Sequence, residues 1–535
     1  MSNSTLSFEN QIDQRQDIPL LEQANSHPMY YSMALTAIGA TIGDALGSPF
    51  ENKTKSEIQS MWLMKKSNHT ASTGTHYVFP KQLCHSGLIY TDDTQMSISL
   101  IESYLINHHL DPIYIKTLWQ ALSKKDWFTW AGCPLSQYQF GGFRGTGRNF
   151  RESVNSLNEE CDNDISQKTA GNGVAMRSWP CAIAACHVSL SPIEQIERLR
   201  QDVVMNGELT HKDILGIVPA YSVAWLTYQW IQGKLLHIET LDLIRVVIEE
   251  TKQFEVWLSK FSKYEQQAKK RIYSTALEAI LSFLKKTSST PSKQELIDIS
   301  LKSIVDICEM TTSQTVRGPH DGFAVASVTS ALLHSIILRN EDFLICLKRV
   351  IDVGGDTDTV ASMVGAMVGA YKGWSFTSNR NESSLQLSQQ NSQKQFSYFV
   401  VQQVVGFEHL YEFYRHFIEW TLGMSHQDTN KIKKDYCGFL LQQEKHVTSV
   451  LLNLENSKRT PHYRATIVND MVSKIGNSLM RERSKFHGSD EEFVKMVIPK
   501  YSNEIEWMND WDLKKLYGMV FKKNQRGGTY GYDRR

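Results

Sequence analysis

Apolar residues recur at three- and four-residue spacing along most of the chain from about Tyr31 to Trp374. That is the period of a helix with one buried face. Ser97–Ile106, Pro219–Ile231, Thr240–Phe254 and Lys269–Leu284 show it most plainly. Few runs alternate apolar and polar residues as a half-buried strand would, so the expected fold class is all-α. Glycine-rich turns interrupt the helices at Gly141–Gly147, Gly171–Gly173 and Gly354–Gly355. Ser375–Gln395 is rich in Ser, Asn and Gln and reads as a linker. Phe396–Arg535 reads as a second helical segment. Its aromatic run, Phe407–Leu422, has the spacing of core packing rather than of a base-stacking platform. The scheme is a polar tail over 1–28, a main domain over 29–374, a linker over 375–395 and a helical C-terminal domain over 396–535.

With 535 residues the chain is too long for one typical domain. Its formal net charge of +0 provides no global drive toward nucleic acid or membrane, although the chain turns mildly basic after Lys458. Ile214–Gly233 is uncharged and just long enough to span a bilayer. It contains Pro219, Ser222, Thr227, Tyr228 and Gln229, however, and is expected to be a buried helix. Met1–Pro28 lacks the apolar core of a signal peptide. Eight scattered cysteines without a Cys-x-x-Cys pair fit a reduced setting. The expected location is cytoplasmic, with a secreted-effector destination as the other possibility.

The chemistry concentrates in Gly354-Gly355-Asp356-Thr357-Asp358-Thr359, which precedes a small-residue apolar run. Two carboxylates beside an apolar segment are costly unless paired. A hard, oxygen-preferring cation would relieve that cost. A second cluster, Tyr90-Thr91-Asp92-Asp93-Thr94, opens another apolar-periodic helix. Taken alone it is a helix cap. Facing the first cluster across a cleft, it would complete a site for two divalent cations about 3.5–4 Å apart. Gly39–Glu51 places a carboxylate, Glu51, in a loop after Pro49. Gly171-Asn172-Gly173-Val174-Ala175-Met176-Arg177 forms a turn whose N–H groups suit an anion or a ribose. Thr210-His211-Lys212-Asp213 opens a further helix.

In this order the segments resemble the ADP-ribosylglycohydrolase family, which includes the dinitrogenase-reductase-activating glycohydrolases. The resemblance covers about Met33 to Trp374 and extends to Gly365-Ala366 and Gly369-Ala370. It implies a compact orthogonal all-helical domain and a binuclear Mg²⁺ centre, with Mn²⁺ as the substitute. By similarity the metal ligands are Thr91, Asp92, Asp93, Asp356, Asp358 and Thr359, and the catalytic acids are Glu51 and Asp356. Gly145, Thr146 and Gly147 would meet the diphosphate, and Phe143 of the same glycine-rich loop would also bind substrate. Asn172, Gly173 and His211 would line the ADP-ribose pocket. The implied activity is hydrolysis of the ribosyl C1″ bond of an ADP-ribosylated protein, with ADP-ribose as the ligand. Neither membrane nor nucleic acid is an expected partner. Within the range of the resemblance the Lys/Glu-rich stretch Glu249–Lys302 has no evident match to the family and reads as an insert expected near the substrate entrance, and the segment Phe396–Arg535 has no counterpart there. The rival readings are an inactive ADP-ribose-binding or immunity-type protein of this fold, a two-metal phosphohydrolase, and a nucleic-acid module at the basic end.

Overall fold

The computed structural model describes residues 27–64, 78–80, 88–124, 138–158, 170–286, 292–378, 404–424, 429–457 and 479–497, with positions 516 and 520. The chain divides into two compact units. One comprises residues 1–122 and 143–446, the other residues 123–142 and 447–535.

The first unit is built around buried helices. Helix α1 (Pro28–Gly47) starts with proline in its first turn, where no N–H is needed, and His27 Nδ1 accepts a bond from Met29 N. A 3₁₀ turn, Ser48–Phe50, then carries the chain out of the helix and leaves Glu51 in a loop. Helix α2 (Asp92–Asn107) ends at His108 in the left-handed region. Helix α3 (Ile214–Ile231) is capped by Asp213, whose Oδ1 accepts from Leu215 N at 2.8 Å. Helix α4 (Ala324–Leu338) and helix α5 (Thr357–Ser378) follow. Helices α3 and α4 are apolar around nearly their whole circumference, and both are packed on all sides. Helix α3 packs on both α4 and α5. It is long and apolar enough to cross a membrane, but 89% of it is buried within the protein, as its polar residues led us to expect.

The closest packing joins α1 to α5. Glycines recur every four residues along each helix, at 39, 43 and 47 and at 365, 369 and 373. A Cβ on Gly43 would lie 2.1 Å from the Ala361 carbonyl oxygen, and one on Gly365 would lie 2.0 Å from that of Gly39. No side chain larger than hydrogen fits this seam. It is fastened at both ends, by Ser32 Oγ donating to Ala370 O and Thr357 Oγ1 donating to Gly47 O.

The stretch expected as an insert, 249–302, continues the helical layer. Helix Thr240–Leu258 buries Phe254 with its ring stacked 3.8 Å from that of Tyr221. Glu255 Oε2 accepts from Ser274 Oγ at 2.5 Å, which joins this helix to Ile272–Lys285. A short antiparallel ribbon, β1 (Trp62–Met64) with β2 (Val78–Pro80), pairs Trp62 with Pro80. The sequence pattern does not distinguish these three-residue strands.

Residues 404–446 belong to this same unit, although the sequence suggests a domain boundary at 375–395. Helix α5 runs to Ser378, so the start of the expected linker is helical, and 379–403 lies outside the described residues. Helix α6 (Phe407–Thr421) packs on α1 and α2, and the beginning of helix α7 (Phe439–Ser457), through His446, is tied to α2. The Tyr414 and Thr41 hydroxyls are 2.8 Å apart. Phe413 stacks on Phe439 at 4.1 Å, so the aromatic run is core, as its spacing indicates. Glu102 of α2 accepts from Gly438 N at 2.6 Å and Leu440 N at 3.0 Å, which satisfies N–H groups at the start of α7.

In the second unit, helix Asp490–Val497 is preceded by a reciprocal cap. Glu492 Oε2 accepts from Ser489 N and Ser489 Oγ accepts from Glu492 N. Phe486 and Phe493 pack 5.4 Å apart, with the Arg483 guanidinium over both rings.

Candidate active site

The helix seam places chemistry as well as mass. Helix α1 carries Asp44 and α5 carries Asp358, so their backbone contact brings both carboxylates to one point. There they meet Asp93 in the first turn of α2, and one oxygen from each of Asp44, Asp93 and Asp358 lies within 4.8 Å of the others.

Thr91 occupies the N-cap of α2, yet its side chain makes no capping bond. Its Oγ1 donates instead to Asp44 Oδ1 at 2.7 Å, and Thr94 Oγ1 donates to Asp44 Oδ2 at 2.6 Å. Thr91 N bonds both Asp44 oxygens at 2.9 Å, and Thr94 N reaches Oδ2 at 3.1 Å. Asp44 therefore accepts from four donors and fixes the Thr91–Thr94 turn. Having given its proton to Asp44, Thr91 Oγ1 still presents lone pairs.

Asp93 is different. Its Oδ2 accepts weakly from Thr359 Oγ1 at 3.3 Å and lies 3.4 Å from Thr91 Oγ1, whose proton is directed to Asp44. Its Oδ1 is buried without a hydrogen-bond partner, and the residue is 1% exposed. A buried carboxylate oxygen left unpaired among two other carboxylates is a large cost. An oxygen-ligated divalent cation answers it: the available donors are carboxylates and hydroxyls only.

Burial, followed by the neighbouring carboxylates, pushes the carboxyls of Asp92, Asp93 and Asp358 well above the usual range. Burial also raises Asp44, against the pull of its bonds from Thr94 and Thr91. Glu51 is pushed up to about 7 by burial and then by Asp356. Arg177 gives partial compensation. It is wholly buried, its guanidinium feels Asp92 and Asp93, and burial lowers it to about 9. It is held by bonds to Asn206 Oδ1 and Thr210 Oγ1, both at 2.7 Å.

Glu51, Asp92, Arg177 and Asp358 line an open cleft of about 720 Å³ within the first unit. The loop Gly354–Gly355, with φ of +84° and +82°, takes a course only glycine adopts freely. Asn52 N donates to Gly355 O at 2.8 Å and Asp356 N to His320 O at 2.9 Å. The loop that carries Glu51 is thereby fastened to the loop that carries Asp356. Asn172 Nδ2 donates to Asp356 Oδ2 at 2.8 Å. His211 packs against Gly171 and Gly173, where a Cβ on Gly173 would be 2.7 Å from its ring. Its Nδ1 pairs with Thr210 Oγ1 at 2.7 Å, and burial lowers its pKa to about 3, so the ring is neutral.

Of the residues expected from sequence, Glu51, Asp92, Gly145, Gly147, Asn172, Gly173, His211, Asp356, Asp358 and Thr359 line the cleft. Thr91 and Asp93 lie behind its wall, in contact with the acid cluster. Phe143 does not face it: the side chain is fully buried, edge-on to Phe150 at 4.9 Å. The Thr146 hydroxyl is buried without a partner, off the lining. Among the described residues, none from 249–302 lines the cleft. Sequence reasoning assigned no role to Asp44 or Arg177. Their signal is a charged residue in an otherwise small and apolar stretch, which burial makes costly without a partner.

A family model described as ADP-ribosylglycohydrolase matches residues 32–376. The chain belongs to the ADP-ribosylglycohydrolase family. Within that family it is 24% identical over 338 residues to ADP-ribosylhydrolase ARH3 of Bos taurus, covering 63% of this chain and 83% of the relative. It is 25% identical over 354 residues to the Xenopus tropicalis ADP-ribosylhydrolase ARH3, covering 63% and 85%. An uncharacterized Escherichia coli protein, YegU, is 22% identical over 348 residues, covering 63% and 86%. A solved structure described as an ADP-ribosylglycohydrolase-related protein complex aligns with a TM-score of 0.41 at 16% identity, covering 73% of this chain and 98% of that one. The described residues are predominantly helical, as the sequence pattern predicts.

Proposed function

We propose that the chain is a divalent-cation-dependent hydrolase that releases ADP-ribose from a modified macromolecule by cleaving the C1″ glycosidic bond. The observation that carries this reading is the unpaired, buried Asp93 Oδ1 at the junction of the two acidic helix starts, beneath a cleft large enough for a nucleotide-sized ligand. The family membership and the similarity to proteins named ADP-ribosylhydrolase support the substrate class.

Thr91, Asp92, Asp93, Asp356, Asp358 and Thr359 would hold the cations, Mg²⁺ or Mn²⁺, with Asp44 orienting Thr91. When bound, the ions supply Lewis acidity and neutralise charge beside the distal ribose. Cleavage passes through an oxocarbenium-like state in which C1″ loses the leaving group and gains a water oxygen. Glu51, with a carboxyl held near neutrality, is suited to move the proton between that water and the departing group. Asn172 keeps Asp356 in one orientation, and the backbone at Gly145 and Gly147 leaves room for the diphosphate. Neutral His211 offers a polar nitrogen at the cleft without adding charge.

The test offers the purified chain Arg-, Ser- and nucleic-acid-linked ADP-ribose, with and without Mg²⁺. Divalent-dependent release of ADP-ribose is expected, and its loss in folded Asp92→Ala and Asp356→Ala. Binding without turnover on every substrate would instead establish a binding protein, and unchanged turnover in both variants would remove the metal assignment.

A further inference from the structure

Tyr90 immediately precedes the ligand loop, and Arg144 immediately precedes Gly145 of the cleft wall. The two are tied together. Arg144 Nε donates to the Tyr90 carbonyl at 2.8 Å, and the guanidinium lies 4.7 Å over the Tyr90 ring. Arg144 N donates to Gln95 Oε1 of α2 at 3.0 Å. The Arg144 side chain is entirely buried, and its charge is met by Glu444 of α7, which is 1% exposed. Nη1 reaches Glu444 Oε2 at 2.5 Å and Nη2 reaches Oε1 at 3.3 Å. Glu444 Oε1 also accepts from the Tyr90 hydroxyl at 2.9 Å, and Gln443 Nε2 donates to that hydroxyl at 3.2 Å. One carboxylate therefore grips both strands of chain that flank the acid cluster. It comes from a helix beyond residue 376, where the family match ends.

The geometry points to Glu444 as a positioning residue for the cation site, supplied by the C-terminal extension. This rests on the metal reading above. Glu444 holds Arg144, Arg144 holds the Tyr90 carbonyl, and the next residues in chain are Thr91, Asp92 and Asp93. A two-ion site demands ligand placement within a fraction of an ångström, and groups behind the ligands typically govern metal affinity by about 10–100-fold. A buried, bidentate, charge-assisted pair is stiff enough for that task.

The test measures the Mn²⁺ dissociation constant of the full chain by electron paramagnetic resonance of free Mn²⁺. Replacing both partners, Arg144→Met with Glu444→Met, keeps the pocket filled without leaving a charge stranded. Glu444→Gln keeps the shape and one acceptor, and decides the question should the double variant not fold. Both are expected to weaken Mn²⁺ binding, the double variant by about tenfold or more. Glu102→Gln, which loosens α7 without touching Arg144 or Tyr90, is expected to leave it within twofold. Folded variants with an unchanged constant, or an equal loss in Glu102→Gln, overturn the role of Glu444 alone. A full chain that binds no Mn²⁺ overturns the metal reading, and this inference with it.

Discussion

Replacing Asp93 by asparagine separates the electrostatic cost of the site from its function. Each of the two neighbouring carboxylates has an oxygen within 4.8 Å of one on Asp93. At an effective dielectric of about 20, unit charges at that separation repel by about 3 kcal/mol per pair. The carboxyls relieve part of this by keeping protons, as their raised pKa values indicate, so about 1–3 kcal/mol of strain is expected in metal-free protein at pH 8. Because the folded pKa of Asp93 lies above its unfolded value, its contribution to stability is whole below about pH 4 and is lost as pH rises through the folded value. Metal-free wild type should therefore melt lower at pH 8 than at pH 5. Asp93→Asn should raise the metal-free melting temperature at pH 8, by about 2–6 °C at roughly 2 °C per kcal/mol for a unit of this size. Adding Mn²⁺ at a hundredfold excess over its dissociation constant should stabilise wild type by about 2.7 kcal/mol, or about 5 °C. The variant should gain almost nothing. Differential scanning fluorimetry at two pH values, with EDTA or Mn²⁺, reads all four states. An Asp93→Asn protein that melts below wild type in EDTA at pH 8, or that gains the full Mn²⁺ shift, would refute the reasoning.

Asp44→Asn removes the charge that orders Thr91 and Thr94, and should weaken Mn²⁺ binding by about 10–100-fold in a titration while the cleft residues remain in place. Gly43→Ala forces a methyl to within 2.1 Å of the Ala361 carbonyl, so urea denaturation should show a loss of at least about 1–3 kcal/mol. Glu51 is held up to about 7, above its ordinary 4.5, so its stabilising contribution in metal-free protein is present below about 4.5 and fades as pH approaches 7. Glu51→Gln should flatten that part of the stability–pH curve and remove a limb near pH 7 from the pH–rate profile. An unchanged limb would assign it to another group.

The helical character of the chain was legible because the 3.6-residue period is strong in helices such as Thr240–Leu258, which buries one face. The acid clusters were legible for a different reason: adjacent carboxylates at the start of apolar helices have few stable explanations without a counter-ion. Asp44 was not. Nothing within Gly43–Gly47 names its partner, and only the packing of α1 against the start of α2 brings it to Thr91 and Thr94. Phe143 was misplaced because the glycines around it suggest an open loop, whereas its own ring is drawn to Phe150. The place of 404–446 was hidden by the polar run before it. Composition marks a break in packing, but it does not say where the chain returns, and the partners of Glu444 lie 300 residues or more away in sequence.

The glycine seam between α1 and α5 has a bearing on how this site can change. Side chains at most helix contacts act as spacers, and substitutions adjust the gap by fractions of an ångström. Here backbone rests on backbone at Gly39, Gly43 and Gly365, so nothing remains to trim and nothing larger can be admitted. The separation of Asp44 from Asp358 is then set by main-chain dimensions, like the fixed jaw of a caliper. A slip of one helix along the other would be accommodated only in steps of four residues, about 6 Å, and each step would pull the acids apart. Innovation in this protein is thereby directed away from the acid cluster and into the loops that bound the cleft.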